Sequence, residues 1–326
     1  MRPIQFILAA AAAVAIAFTG GARAQAAWPS KPIRFVVPYP AGGATDYVAR
    51  LIGERLSKAV GQPVLVDNKS GAAGAIGVAD VAKAEPDGHT VLVTINDPLV
   101  NNTALFKTLP YDPQRDFTFV AQILRSPALL SASPALGVKN FEDFRKAAVP
   151  GGKLSYASWG VGGLGHLAGE SLNREIKAQM VHVPQRGEGP VVQDLIAGNV
   201  SVGLSSVATA MQQVAAGKVV PLAMMGRDRS SALPNVPTLR ELGFADPLYD
   251  SSVWMAALVP AKTPPAVVQK LSAEIRAIAN NPDVRKLLVD RGFEMLVTTP
   301  EQAQANYKAE FEIITRRIRE LGIEQQ

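Results

Sequence analysis

Three stretches of this sequence have the makings of an anion site built from main chain. The first is Pro38-Tyr39-Pro40-Ala41-Gly42-Gly43-Ala44-Thr45-Asp46. It follows a β-branched apolar run, Ile33 to Val37, and opens a helical pattern with Val48, Leu51, Ile52 and Leu56 on one face. Gly42 and Gly43 leave the backbone bare where that helix begins, so free N–H groups and the positive end of the helix dipole point the same way. A phosphate or a carboxylate suits such a place. The device recurs at Asn68-Lys69-Ser70-Gly71-Ala72-Ala73-Gly74-Ala75-Ile76-Gly77 and at Ser158-Trp159-Gly160-Val161-Gly162-Gly163-Leu164-Gly165-His166. Candidate ligand-binding residues are therefore Tyr39, Ala41, Gly42, Gly43 and Asp46, then Asn68 and Ala73, then Ser158, Gly160, Gly163 and His166. Asn96 joins them from a third strand end. Asp46, one turn into its helix, reads equally as a cap and as a cleft residue. Asn68 reads equally as a loop brace and as a ligand contact.

Other chemistries fit less well. Gly160-x-Gly162-x-x-Gly165 has the spacing of a dinucleotide-binding turn, but the next strand ends Pro184-Gln185-Arg186, with no carboxylate to hold a ribose until Glu188. No Walker lysine, H-E-x-x-H or G-x-S-x-G is present, and His89, His166 and His182 are the only histidines. Neither a metal nor a cofactor is expected. Ser158 beside His166 gives the one enzymatic alternative, an exported α/β hydrolase acting on a carboxylate-bearing substrate, but no third group orients the pair.

The elements that must carry these loops alternate. Strand patterns at Ile33–Val37, Val64–Asp67 and Thr90–Ile95 are separated by helical ones, and the alternation starts again from Leu154–Ala157 through Met180–Val183, Val200–Leu204 and Val219–Met225. Parallel pairing follows, with the loops after the strands gathered on one edge of each sheet. Leu109 to Phe119 reads as an exposed, proline-rich connection. After a strand at Trp254–Val259 the chain turns helical, and Arg316, Arg317 and Arg319 suit the end of its last helix.

Composition narrows the classes further. Arg2, the apolar run Phe6 to Phe18 and Ala22-Arg23-Ala24 form a signal-peptide pattern over residues 1–24, too short to span a membrane. The formal charge of +5 falls to about +3 without Arg2 and Arg23, and no basic run suggests nucleic acid. With no cysteine, disulfides, thiolate metal sites and lipid attachment at cysteine are excluded.

From Trp28 to the C-terminus the chain resembles the Bug-type solute receptors of tripartite tricarboxylate transporters. The resemblance is carried by Ile33 to Tyr39 with Pro40-Ala41-Gly42-Gly43 and Asp46, by Asn68 with Gly71-Ala72-Ala73-Gly74 and Gly77, and by Leu109-Pro110-Tyr111-Asp112-Pro113. Gly160 to His166, His182-Val183-Pro184 with Arg186-Gly187, Arg229-Ser230 and Leu233-Pro234-Asn235-Val236-Pro237-Thr238 complete it. It implies a two-lobed type II periplasmic binding fold, each lobe a mostly parallel sheet flanked by helices. Lobe one would be residues 25–123 and 250–326, and lobe two 124–249. It further implies a periplasmic receptor, monomeric and not an enzyme, that grips a small carboxylate through backbone amides and delivers it to membrane permease subunits. Two departures stand out. Gln185 replaces a usual aromatic, and hydroxyls at Ser205 stand where an acidic residue is frequent; both positions should face the cleft. With Arg186 beside them, they point to a mono- or dicarboxylate without an ammonium.

Overall fold

The computed structural model describes residues 28–323 and residue 325, so the segment read as a signal peptide lies outside the described residues. In chain order, β1 (Ile33–Val37) leads through the first glycine loop to α1 (Ala44–Val60), which stops at Gly61 with φ +72°. Then come β2 (Val64–Asn68), α2 (Ala75–Ala82), β3 (Thr90–Ile95), the short α3 (Asn101–Leu105) and the long β4 (Phe117–Ser126). A second series follows: β5 (Ala128–Ala132), α4 (Phe141–Ala147), β6 (Ser155–Ser158), α5 (Leu164–Glu175), β7 (Val181–Pro184), α6 (Glu188–Ala197), β8 (Val202–Ser206), α7 (Val207–Ala215) and β9 (Val220–Met224). The chain closes with β10 (Val253–Pro260), α8 (Pro265–Asn280), α9 (Pro282–Val289), β11 (Glu294–Met295) and α10 (Pro300–Leu321).

Two sheets result, ordered β11-β4-β10-β3-β1-β2 and β7-β6-β8-β5-β9. Apart from the edge strand β11 they share one plan, in which the fourth strand, β10 or β5, runs antiparallel to both its neighbours. The parallel pairing expected from the strand–helix alternation is confined to β2-β1-β3 and β7-β6-β8. Both sheets are therefore mixed rather than mostly parallel. The reason is that β4 and β10 carry the chain out of the first sheet and back, and strands that cross in opposite directions must pair antiparallel.

Period-two alternation buries both faces of the first sheet. Ile33, Phe35 and Val37 pack against Val48, Ile52 and Leu56 of α1 and against α8. Val36 and Leu92 face the other way, toward α2, α3 and α10. The connection from Leu109 to Phe119 is not wholly exposed as expected. Tyr111 and Phe117 are buried, and the Tyr111 hydroxyl donates to the Pro98 carbonyl at 2.7 Å.

Helix α10 begins on the first sheet and ends on the second unit. Its Tyr307 hydroxyl donates to the Leu99 carbonyl, while Arg317 reaches Ser171 of α5 at 3.1 Å and Asp246 at 2.5 Å. Arg317 thus serves as a cross-brace as well as a cation at a helix end.

Candidate functional site

A cleft of about 880 Å³ lies between the carboxyl edges of the parallel strands of the two sheets. Pro38, Tyr39, Pro40, Ala44 and Thr45 come from the first glycine loop and the start of α1, and Ser70 to Gly74 from the second loop. Across from them stand Trp159, Gly160, Val161 and Gly163, then the turn from Gln185 to Gly189. Leu124, Ser126, Val253, Met255 and Phe293 close the end where β4 and β10 cross between the sheets.

Of the candidates named from sequence, Tyr39, Ala73, Gly160, Gly163, Gln185 and Arg186 line this cleft. Ala41, Gly42, Gly43, Asp46, Asn68, Asn96, Ser158, His166 and Ser205 stand outside its wall. Most of these hold the loops in shape. Asp46 turns back on its own loop, where its Oδ2 accepts from the Gly42 N–H at 2.9 Å and from Arg50 Nε at 3.0 Å. Burial pushes the Asp46 carboxyl up, but the Arg50 and Gly42 hydrogen bonds together outweigh it and hold the group below its ordinary range. Asn68 accepts from the same Arg50 at 3.1 Å and donates to the Tyr39 carbonyl at 3.1 Å. Both residues are therefore braces. Gly42, at φ +85°, needs to be glycine, whereas Gly43 has an ordinary extended backbone at φ −79°.

The second loop is held in an unusual conformation. Gly71, Ala72, Ala73 and Gly74 all have positive φ, which is costly for the two alanines, and Asn102 Nδ2 fastens the Ala73 carbonyl at 3.1 Å.

The loop at Ser158 to His166 is set from below. Ser158 donates to the Gly160 carbonyl at 3.0 Å and lies 2.8 Å from His182 Nε2, while His166 Nδ1 accepts from the Gly162 N–H at 2.9 Å. Ser158 therefore pairs with His182 rather than His166, and its hydroxyl is fully buried. The hydrolase geometry is absent. The two imidazoles stack with centroids 3.9 Å apart. Burial, then the neighbouring His166, push His182 down to about 3. The G-x-G-x-x-G spacing has a packing explanation: a Cβ at Gly162 would sit 2.0 Å from Leu105 Cδ1, and one at Gly165 would sit 2.5 Å from the Trp159 ring.

Several misses share one cause. Asn96 faces away from the cleft, donating to Glu310 at 2.9 Å and to the Ser252 carbonyl at 3.3 Å, so Asp97 takes the cleft side with Ile95. Ser205 is likewise buried on the far side of β8, and Ser206 faces the cleft. Successive residues of β8 point to opposite faces, and the two residues just past the end of β3 also diverge, so an error of one position inverts the assignment. Gln185 lines the cleft but spends its amide on Asp194 at 2.6 Å, and Arg186 is exposed at the rim.

This inversion changes the electrostatics. Two carboxylates face the cleft where hydroxyls alone were expected. Glu188 accepts from the Ser206 N–H at 3.1 Å and from the Ser206 and Thr209 hydroxyls at 2.6 and 2.5 Å. Burial pushes it up against those three donors. Asp97 accepts from Trp159 Nε1 across the cleft at 2.9 Å, and its other oxygen has no partner. Burial raises it to about 6, with the charge of Glu188 adding to the push. Behind the wall, burial lifts Glu310 to about 7 although Trp254 and Asn96 donate to it. Among the described residues no group of His, Asp and Glu is placed to hold a metal ion, and no helix is long and apolar enough to cross a membrane.

Comparison with known proteins agrees with this architecture. A protein of Pseudomonas sp. (strain P51), described as a UPF0065 protein in the tcbD-tcbE intergenic region, is 38% identical over 305 residues, covering 92% of this chain and 90% of that protein. The solved structure of the periplasmic binding protein BugD is 29% identical with a TM-score of 0.82, covering 92% of this chain and 100% of BugD. The structure of R. palustris Rpa4515 with adipate is 30% identical with a TM-score of 0.84, over 92% of this chain and 100% of that one. BugD is a periplasmic binding protein, and the matching family is one of receptors rather than enzymes. The model of the tripartite tricarboxylate transporter family receptor matches residues 48–323, and the chain belongs to that family.

Proposed function

We propose that this protein is a periplasmic receptor, exported by its N-terminal signal peptide, that captures a small carboxylate between two lobes and hands it to the permease subunits of a tripartite tricarboxylate-type transporter. The observation that carries the reading is the provenance of the cleft wall. Loops from the carboxyl edges of both sheets line it, and the start of the 17-residue α1, at Ala44 and Thr45, opens directly into it. Backbone donors and the α1 dipole favour an anion there without a dedicated cation. R. palustris Rpa4515, 30% identical over 92% of this chain, has been solved with adipate.

We read two lobes, divided in sequence near residues 124 and 250 as expected; β4 stays in the first sheet to Ser126, paired with Val253, so the first lobe extends to that residue. They hinge where β4 passes into β5 at Pro127 and where the chain returns through Ser251 and Ser252 into β10. The receptor acts as a monomer. Calorimetric titration of the mature protein with a panel of small carboxylates, paired with small-angle scattering, tests the reading. Saturating binding with a fall in radius of gyration is expected. An unchanged radius at saturation refutes closure, and no binding by any acid refutes the receptor assignment.

A further inference from the structure

We propose that the cleft is built for a ligand with one carboxylate and an apolar body, and that it rejects a second carboxylate. The proposal rests on the receptor reading above and narrows it to a ligand class.

Apart from Ser126, the stretch of cleft wall where β4 and β10 cross is hydrocarbon. Leu124, Val253, Met255 and Phe293 present buried side chains there, with Ile95 beside them. Strand register places this wall between the two cleft carboxylates. Val253 pairs with Ser126 of β4, and two residues on, Ala128 of β5 pairs with Ser206, the residue that holds Glu188. On the other flank Met255 pairs with Ile95, two residues before Asp97.

Neither carboxylate has a cation. Among the described residues, no Lys, Arg or His lies within ion-pair distance of Asp97 or Glu188, and Arg186, at the rim, is the only basic residue lining the cleft. A ligand of two carboxylates could place one at the loops and Arg186. A second carboxylate carried along the cleft toward the β4–β10 crossing would meet the hydrocarbon wall, where a charge loses its hydration without compensation, or the field of two like charges. The hydroxyls of Ser206 and Thr209 offer no relief, because both already donate to Glu188. An apolar body against the same wall buries surface at no electrostatic cost.

Hexanoate and adipate share a six-carbon chain and differ by one terminal carboxylate, so they isolate the proposed discrimination. In calorimetric titrations at neutral pH, hexanoate should bind the mature protein at least tenfold more tightly, equivalent to about 1.4 kcal/mol. Glu188→Gln removes one of the repelling charges and should narrow the ratio at least threefold in favour of adipate. Asp97→Asn should act in the same direction and serves if the first variant does not fold. Adipate binding as tightly as hexanoate, or a ratio that neither folded variant changes, overturns the proposal while leaving the receptor reading intact. Failure of both acids to bind folded wild-type protein at millimolar concentration counts against the receptor reading and removes the proposal with it.

Discussion

Replacing Gly162 by alanine should weaken ligand capture more than it weakens the fold. Gly162 lies in the loop before α5 with φ +73°, and its carbonyl accepts from Asn101 Nδ2 at 2.7 Å. A Cβ there would stand 2.0, 2.5 and 2.7 Å from Cδ1, Cδ2 and Cγ of Leu105. Leu105 ends α3 and is buried, so it has little room to withdraw. Two costs separate. The left-handed backbone strains an alanine by about 1–2 kcal/mol in any arrangement of the lobes, and this should appear as lost stability. Under the proposed closure, overpacking against Leu105, about 1–3 kcal/mol, would arise only when the two halves meet, so it should appear as lost affinity of about 5- to 150-fold. Calorimetric titration with the tightest-binding acid of the panel measures the second cost, and thermal denaturation without ligand measures the first. Adding Leu105→Ala should return most of the affinity, a coupling that a double-mutant cycle reads directly. Wild-type affinity in a folded Gly162→Ala protein, or additive effects of the two substitutions, would refute this account of how the halves meet.

Asp46→Asn should lower stability by about 1–2 kcal/mol, discounted because Arg50 is half exposed, through loss of the brace on the Gly42 amide. Because the native carboxyl titrates below its ordinary 3.8, the advantage of wild type is complete above about pH 4 and disappears as pH falls through the lower native value; urea titrations at pH 7 and pH 3 compare the two. His182 titrates near 3 in the native state against an ordinary 6.5, so the unfolded chain takes up the proton first. Stability should be full above about pH 6.5 and fall toward pH 3, and the His182 ring carbons should show no NMR titration between pH 5 and 8. Gly42→Ala should cost about 1–2 kcal/mol because of its φ of +85°, whereas Gly43→Ala, with only Pro40 O at 3.7 Å from the new Cβ, should be close to neutral in thermal denaturation.

The sequence by itself determined most of the secondary elements, though not the short α3 or β11, together with the alternation that makes two α/β units and the three loops that rim the cleft. These are local matters. Apolar periodicity sets a helix or strand from a few residues' spacing, and Gly61 or Gly198 ends a helix through its own backbone freedom. Tertiary structure decided which side chains of those loops reach the cleft. Ser205 and Ser206 differ by one position in a strand of period two, and Asn96 and Asp97 by one position just past the end of β3, and only the packed structure shows which side is inside. Long-range contacts decided the rest. Trp159 finds Asp97 62 residues away, Asn101 finds the Gly162 carbonyl 61 residues away, and Arg317 finds Ser171 across 146. No spacing rule reaches so far along a chain, because such pairs meet only after both sheets have formed and the crossings at β4 and β10 have brought them face to face.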